Sequence, residues 1–169
     1  MACQYLEREG KTKLAYHYTP PTEKGAHLPT LFFLGGFKSD MTGTKATYLE
    51  AKCQERGQGY IRFDYSGHGS SEGKFADGTI GQWADDALDM FDHISPKSCL
   101  LIGSSMGGWV SLLLAGKRAS NIHALIGIAA APDFTKDLWF NRLNEEQRAI
   151  LEEQGYVETP NDYSDEPYI

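Results

Sequence analysis

The chain has 169 residues, 41% of them apolar and 23% charged, with 16 Lys and Arg against 23 Asp and Glu and a net charge of −7. That length suits a single domain spanning 1–169, able to bury roughly 70% of its unfolded surface without disulfides or metals. An acidic balance with no basic run excludes a nucleic-acid footprint, and no apolar run approaches the roughly 20 residues that cross a bilayer. Cys3, Cys53 and Cys99 are odd in number and widely spaced, which reads as reduced thiols in a cytoplasmic protein rather than a disulfide or zinc framework. Met1 to Arg8 holds no apolar signal core, and Glu7 and Glu9 argue against an Arg-rich transit peptide.

In chain order, Gln4–Arg8 and Lys13–Thr19 read as a polar hairpin joined at Glu9-Gly10, suited to the antiparallel edge of a mixed sheet. Thr30–Leu34 is a continuous apolar strand, as expected for a parallel strand covered on both faces. Thr44 then caps a helix carrying Ala46, Leu49 and Cys53 on one face and stopped by Gly57. Tyr60–Asp64 is the next strand. Thr79 caps a helix with Ile80, Trp83, Ala87, Phe91 and Ile94 inward, Asp85, Asp86, Asp89 and Asp92 on its other faces, and Pro96 as its end. Ser98–Gly103 is a strand. The helix from Met106 to about Lys117 is apolar nearly all round and is predicted to be buried. His123–Ala130 is the last strand, and Asn144 caps a final helix that stops at Gly155. Tyr156–Ile169 reads as loop. Strand, helix, strand repeated in this way defines βαβ units and a mostly parallel sheet, with a core over about 30–131.

Two segments match Gly-x-Ser-x-Gly, a pattern weak by itself. Gly69-Ser70-Ser71-Glu72-Gly73 lies in a Gly/Ser-rich stretch with no helix after it, so Ser71 reads as a turn residue. Gly103-Ser104-Ser105-Met106-Gly107 follows a strand directly and opens the apolar helix, the setting of a nucleophile elbow. A sharp turn there presents the Ser105 hydroxyl at the strand end, provided that Gly103 and Gly107 stay small. The Met106 N–H, at a helix N-terminus that favours negative charge, then faces a developing oxyanion. A second donor is expected from the loop after Thr30–Leu34, where Leu34-Gly35-Gly36-Phe37 places the Phe37 N–H. Neither a phosphate loop nor a dinucleotide fingerprint is present.

The segments LFFLGGFKSDMTGTKA, YIRFDYSGHGSSEG, TIGQWADD and LIGSSMGGW resemble the α/β-hydrolase superfamily. Within it they are most similar to the branch holding the mitochondrial palmitoyl-protein thioesterase and acyl-glucuronide hydrolase with their bacterial relatives. The likeness runs from about Leu31 to about Thr135. It implies an α/β-hydrolase fold with helices on both sheet faces, Ser105 as the nucleophile, and Phe37 and Met106 as oxyanion donors. It further implies cleavage of esters or thioesters of small-molecule or acylated-protein substrates, with no metal or organic cofactor. Oligomeric state is left open.

The sequence departs from that family where a general base is needed. The family's order is Ser, then an acid, then His, yet only His123 follows Ser105, at the wrong end of its strand. His17, His27 and His93 lie away from the rim. His68 follows a strand on the rim but belongs to a common Gly-His-Gly turn. Asp133 stands where an acid could sit and also where it could cap the segment Phe134–Phe140. The expectation is a chain lacking the last two βα units, leaving His123–Ala130 as an exposed apolar edge. The stretch 132–169, with Leu138, Trp139 and Phe140, reads either as the start of a lid or as residues packed on the core. Three activities stay in play: a serine ester or thioester hydrolase, a catalytically inert binding module of the same fold, and a carbon–carbon hydrolase on the same elbow.

Overall fold

The structure, a computed structural model, describes residues 2–159. It divides at Pro132 into two compact units, Met1–Pro132 and Asp133–Ile169. The first holds a six-stranded sheet with β1 (Gln4–Leu6), β2 (Leu14–Thr19), β3 (Thr30–Leu34), β4 (Tyr60–Phe63), β5 (Cys99–Ser104) and β6 (Ile122–Ile128), and three helices, α1 (Thr44–Arg56), α2 (Ile80–Ile94) and α3 (Met106–Lys117). The strands lie in the order β1-β2-β4-β3-β5-β6. β3, β4, β5 and β6 run parallel, while β1 and β2 form the antiparallel edge.

β3 is buried throughout, which explains its unbroken apolar sequence. Successive side chains alternate across the sheet. Leu31 and Phe33 meet Ala46 and Cys53 of α1, with Tyr60, Ile102, Leu49 and Leu100 around them. Phe32 and Leu34 face the other side, where α2 and α3 pack against each other. Helices therefore cover both faces.

Local signals set the helix ends. The Thr79 hydroxyl accepts from the Gln82 N–H at 3.1 Å and starts α2. Thr79→Ala is expected to cost about 1 kcal/mol, read as a lower urea midpoint; an unchanged midpoint would remove the cap's contribution. Gly57 ends α1 in the left-handed conformation at φ 69°, its N–H bonded to the carbonyls of Cys53 and Gln54.

Four details differ from the sequence reading. The cap of α1 is Gly43, and Thr44 is the first helical residue, its side chain making no capping bond. β2 is not a polar ribbon: Leu14, Ala15 and Tyr16 are buried, because β2 pairs with β4 and becomes an interior strand. Asp86, placed on a face of α2 other than the apolar one, is nonetheless 2% exposed. It accepts from Arg8 Nη1 at 2.7 Å and from the Ser66 N–H and hydroxyl at 2.8 and 2.6 Å. Those three donors compensate the burial of its charge. Finally, α3 is not enclosed all round: Leu112 and Leu113 are exposed, as are Ile126 and Ile128 on the edge strand β6.

In the second unit, a π-helical turn (Thr135–Trp139) and a 3-10 turn (Phe140–Arg142) lead to α4 (Glu145–Gln154). Asn144 and Gln147 form a reciprocal capping box at the start of α4, and Gly155 ends it at φ 80°. Phe134 meets Trp139 edge-on, while Leu138 and Phe140 are exposed rather than packed in a core. Asp133 does not cap through its side chain; its backbone carbonyl accepts from the N–H groups of Lys136 and Asp137. The loop expected over Tyr156–Ile169 lies outside the described residues from 160 onward. Among the described residues, no helix is long and apolar enough to cross a membrane.

Candidate active site

β5 turns into α3 at a single residue. Ser105 has φ 53° and ψ −119°, a conformation that L-residues occupy only under constraint, at a cost of order 1–3 kcal/mol. The constraint is visible on both sides. The Ser105 N–H donates to the Ile128 carbonyl at 3.0 Å, and the Ser105 carbonyl accepts from the Gly108 and Ala131 N–H groups at 2.9 and 3.1 Å. The two flanking glycines are a spatial necessity. A methyl on Gly103 would collide with the Gly107 carbonyl, and one on Gly107 would collide with the Leu34 carbonyl. Close contact of α3 with β5 thus requires glycine at position 103, and its contact with β3 requires glycine at position 107.

Ser105 is exposed, whereas Met106 is fully buried at the first helical position of α3. The amides of a helix's first turn have no acceptor within the helix, so the Met106 N–H is of the kind an anion can use. The loop after β3 comes up against the same turn: a methyl built on Gly36 would lie 3.4 Å from the Ser105 Cβ. Together these segments wall a cavity of about 310 Å³, lined by Gly36, Phe37, Ser39, Thr44, Lys45, Ser104 and Ser105 among others. Of the residues expected at the site, Ser105 and Phe37 border this cavity, and Met106 follows Ser105 directly. The α1 N-terminus, with Thr44 and Lys45, was missed as a wall because only the tertiary fold brings it there.

Phe37 is held from behind by aromatic rings. Its ring meets Phe75 edge-on at 4.8 Å and Trp83 at 6.0 Å between centroids. His68 sits in the same cluster, 5.1 Å from both Phe75 and Trp83 and 5.5 Å from Tyr65. Its Nδ1 lies 3.2 Å from the Ser66 carbonyl, while Nε2 is buried with no hydrogen-bond partner. Burial holds the His68 imidazole below the ordinary histidine range, and His17 is lowered likewise by burial and by Arg62. A lowered folded-state pKa means that the unfolded chain binds protons more readily. Stability is then complete above the unfolded imidazole value of about 6.5 and is lost as pH falls from there toward the lower folded value. The thermal midpoint should therefore drop between about pH 7.5 and 5.5, and His68→Phe should flatten part of that drop, His17 keeping the rest. An identical pH slope in the variant would contradict this.

The remaining histidines are placed elsewhere. His93 Nε2 is 2.9 Å from the Tyr16 hydroxyl, and His27 is exposed in a loop. β6 pairs Ile122 with Cys99 and Ile128 with Ser104, so His123 lies about 17 Å along the strand from the turn at five residues of rise. Among the described residues no histidine is hydrogen-bonded to Ser105. Ser71, in the second motif, is tied into structure: its hydroxyl donates to the Asp64 carbonyl at 2.6 Å and accepts from the Ala15 N–H at 2.8 Å. Burial pushes Cys53 up to about 11 and Cys99 up to about 12, so neither is a thiolate nucleophile at neutral pH.

A mostly parallel sheet with a strained serine turn between strand and helix defines an α/β hydrolase, and comparison with known proteins agrees. The profile of the family described as serine aminopeptidase, S33, matches residues 28–157, and the chain belongs to this family. It is 41% identical over 162 residues to the human palmitoyl-protein thioesterase ABHD10, mitochondrial, covering 96% of this chain and 51% of that protein. Among solved structures, a hydrolase from Agrobacterium vitis S4 superposes with a TM-score of 0.90 at 40% identity, over 99% of this chain and 67% of the other. The mouse α/β hydrolase domain-containing protein 10 superposes with a TM-score of 0.82 at 33% identity, over 96% and 68%. The chain spans about half the length of the curated relatives it matches. Those relatives are mitochondrial proteins, which overturns the cytoplasmic placement expected from the cysteines. Unpaired thiols report a reducing compartment, and the cytosol is not singled out by that property.

Proposed function

We propose that the chain carries the nucleophile and oxyanion hole of a serine hydrolase acting on acyl esters or thioesters. The observation that carries this reading is the Ser105 turn, with φ 53° and ψ −119°, at the edge of a cavity that Phe37 also lines. In the reaction, the Ser105 Oγ attacks the acyl carbonyl and the Met106 and Phe37 N–H groups hold the oxyanion. Collapse expels the alcohol or thiol and leaves an acyl-enzyme, which water then cleaves. The Oγ proton requires a base. The relatives' name, palmitoyl-protein thioesterase, favours an acylated protein as substrate. Incubation with p-nitrophenyl acetate and quenching in acid should leave an acetyl group on the peptide bearing Ser105. Release of p-nitrophenol with the acetyl group on another residue would refute the assignment.

A second reading is a catalytically inert binding module, favoured by the absence of a histidine bonded to Ser105 among the described residues. It predicts neither p-nitrophenol release nor an acetylated peptide.

A further inference from the structure

The loop between β3 and α1 carries Phe37 and much of the cavity wall, so its position decides where the second oxyanion donor stands. Within the loop the bonds are local: the Ser39 N–H and hydroxyl reach the Gly36 carbonyl at 3.2 and 2.7 Å, and the Thr42 N–H reaches the Asp40 carboxylate at 2.7 Å. Such bonds shape the loop without fixing it to the sheet. Besides the Phe37 ring contacts with Phe75 and Trp83 and the Tyr65 hydroxyl on the Gly35 carbonyl, the loop is tied at Met41, whose side chain is buried. Asp64 Oδ1 accepts from the Met41 N–H at 2.6 Å, and Arg62 Nη1 donates to the Met41 carbonyl at 2.8 Å. Both come from β4 and its end, two residues apart and hence on one sheet face. They grip opposite sides of one residue.

Each partner is itself anchored. The second Asp64 oxygen accepts from the Ser70 N–H at 2.8 Å, and Arg62 Nη2 donates to Glu50 of α1 at 2.8 Å. Asp64 is 2% exposed and Arg62 8%. Burying a carboxylate this deeply, close to the rim, carries a desolvation cost that an apolar residue would avoid. Burial pushes the Asp64 pKa above the ordinary range, while each of its oxygens takes one N–H donor and these two bonds favour the carboxylate.

We propose that Asp64, with Arg62, is a positioning residue that holds the Phe37 amide against Ser105. It acts through Met41 and touches no substrate. The inference rests on the serine hydrolase reading above. Oxyanion donors work only within a fraction of an ångström of their place, and a misplacement of about 1 Å can cost 10²-fold in rate.

The test compares wild type, Asp64→Asn, Arg62→Lys and Thr79→Ala. It uses p-nitrophenyl acetate kinetics, the rate of fluorophosphonate labelling, and amide hydrogen exchange. Asparagine keeps the shape but turns an NH2 toward one of the two N–H donors. Its kcat and labelling rate are expected to fall about 10- to 100-fold with KM unchanged, while Met41 exchanges faster and Ile102 of β5 keeps its protection. Arg62→Lys retains the charge but reaches only one of its two acceptors, and should lose severalfold in kcat. Thr79→Ala, which loses only its own cap bond to the Gln82 N–H and none to the β3–α1 loop, should keep wild-type kinetics. Faster exchange at Met41 with unchanged kcat in Asp64→Asn overturns the proposal, as does an equal loss in Thr79→Ala. If Asp64→Asn does not fold, wild-type kcat in Arg62→Lys overturns it. A wild type that neither turns over ester nor labels at Ser105 removes the hydrolase reading, and this inference falls with it.

Discussion

Ser105→Ala is expected to lower ester turnover by up to about 10⁶, the loss seen when the serine of a Ser–His pair is deleted. The size of the effect follows from the covalent step. Without the hydroxyl no acyl-enzyme forms, and what remains is the contribution of binding and oxyanion stabilisation, about 10³ to 10⁴ over water. The alanine variant should fold normally, because the side chain is exposed and makes no hydrogen bond among the described residues. Relief of side-chain crowding at φ 53° is minor, since alanine has the same Cβ. A large gap between the two proteins requires that a base reach Oγ. Equal rates would favour the inert module instead.

Gly107→Ala is expected to cost about 3–5 kcal/mol, near the upper end of what single substitutions do. The added methyl would collide with the Leu34 carbonyl and lie 2.5 Å from the Gly35 carbonyl. Both obstacles are backbone, so neither can swing aside, and α3 must back away from β3. That movement carries Met106 away from the loop bearing Phe37, so fluorophosphonate labelling should fall along with the urea midpoint. Gly116, near the other end of the same helix, is the natural comparison. A methyl there meets nothing within 4 Å, and Gly116→Ala should be neutral or stabilising by up to about 1 kcal/mol. Equal effects of the two substitutions would contradict the close approach of α3 to β3 at Gly107.

Features set by neighbours in sequence were legible before the fold was seen. β3 is unbroken because it is covered on both faces. Thr79, Asn144, Gly57 and Gly155 mark helix ends because capping involves only residues a few positions away. The distinction between the two Gly-x-Ser-x-Gly segments was local as well: one joins a strand to a helix and the other lies in a loop.

What was not legible depended on distant partners. Asp86 looks like a surface acid until Arg8, 78 positions earlier, and Ser66 supply its hydrogen bonds. The hairpin looks polar, yet β2 becomes interior once it pairs with β4. The cavity beside Ser105 is closed partly by Thr44 and Lys45, which nothing in their own segment announces. Asp64 carries no motif that marks it as the acceptor of the Met41 amide. Leu112 and Leu113 follow an apolar pattern that burial alone would explain, yet both are exposed.

We infer that the hydroxyl at position 105 is the reacting nucleophile. Fluorophosphonate labelling of the folded chain, followed by peptide mapping of the modified residue, tests it most directly. The expected result is one phosphonylated site, Ser105, and no labelling of Ser105→Ala. Modification at another serine, or labelling that persists in the alanine variant, would contradict it.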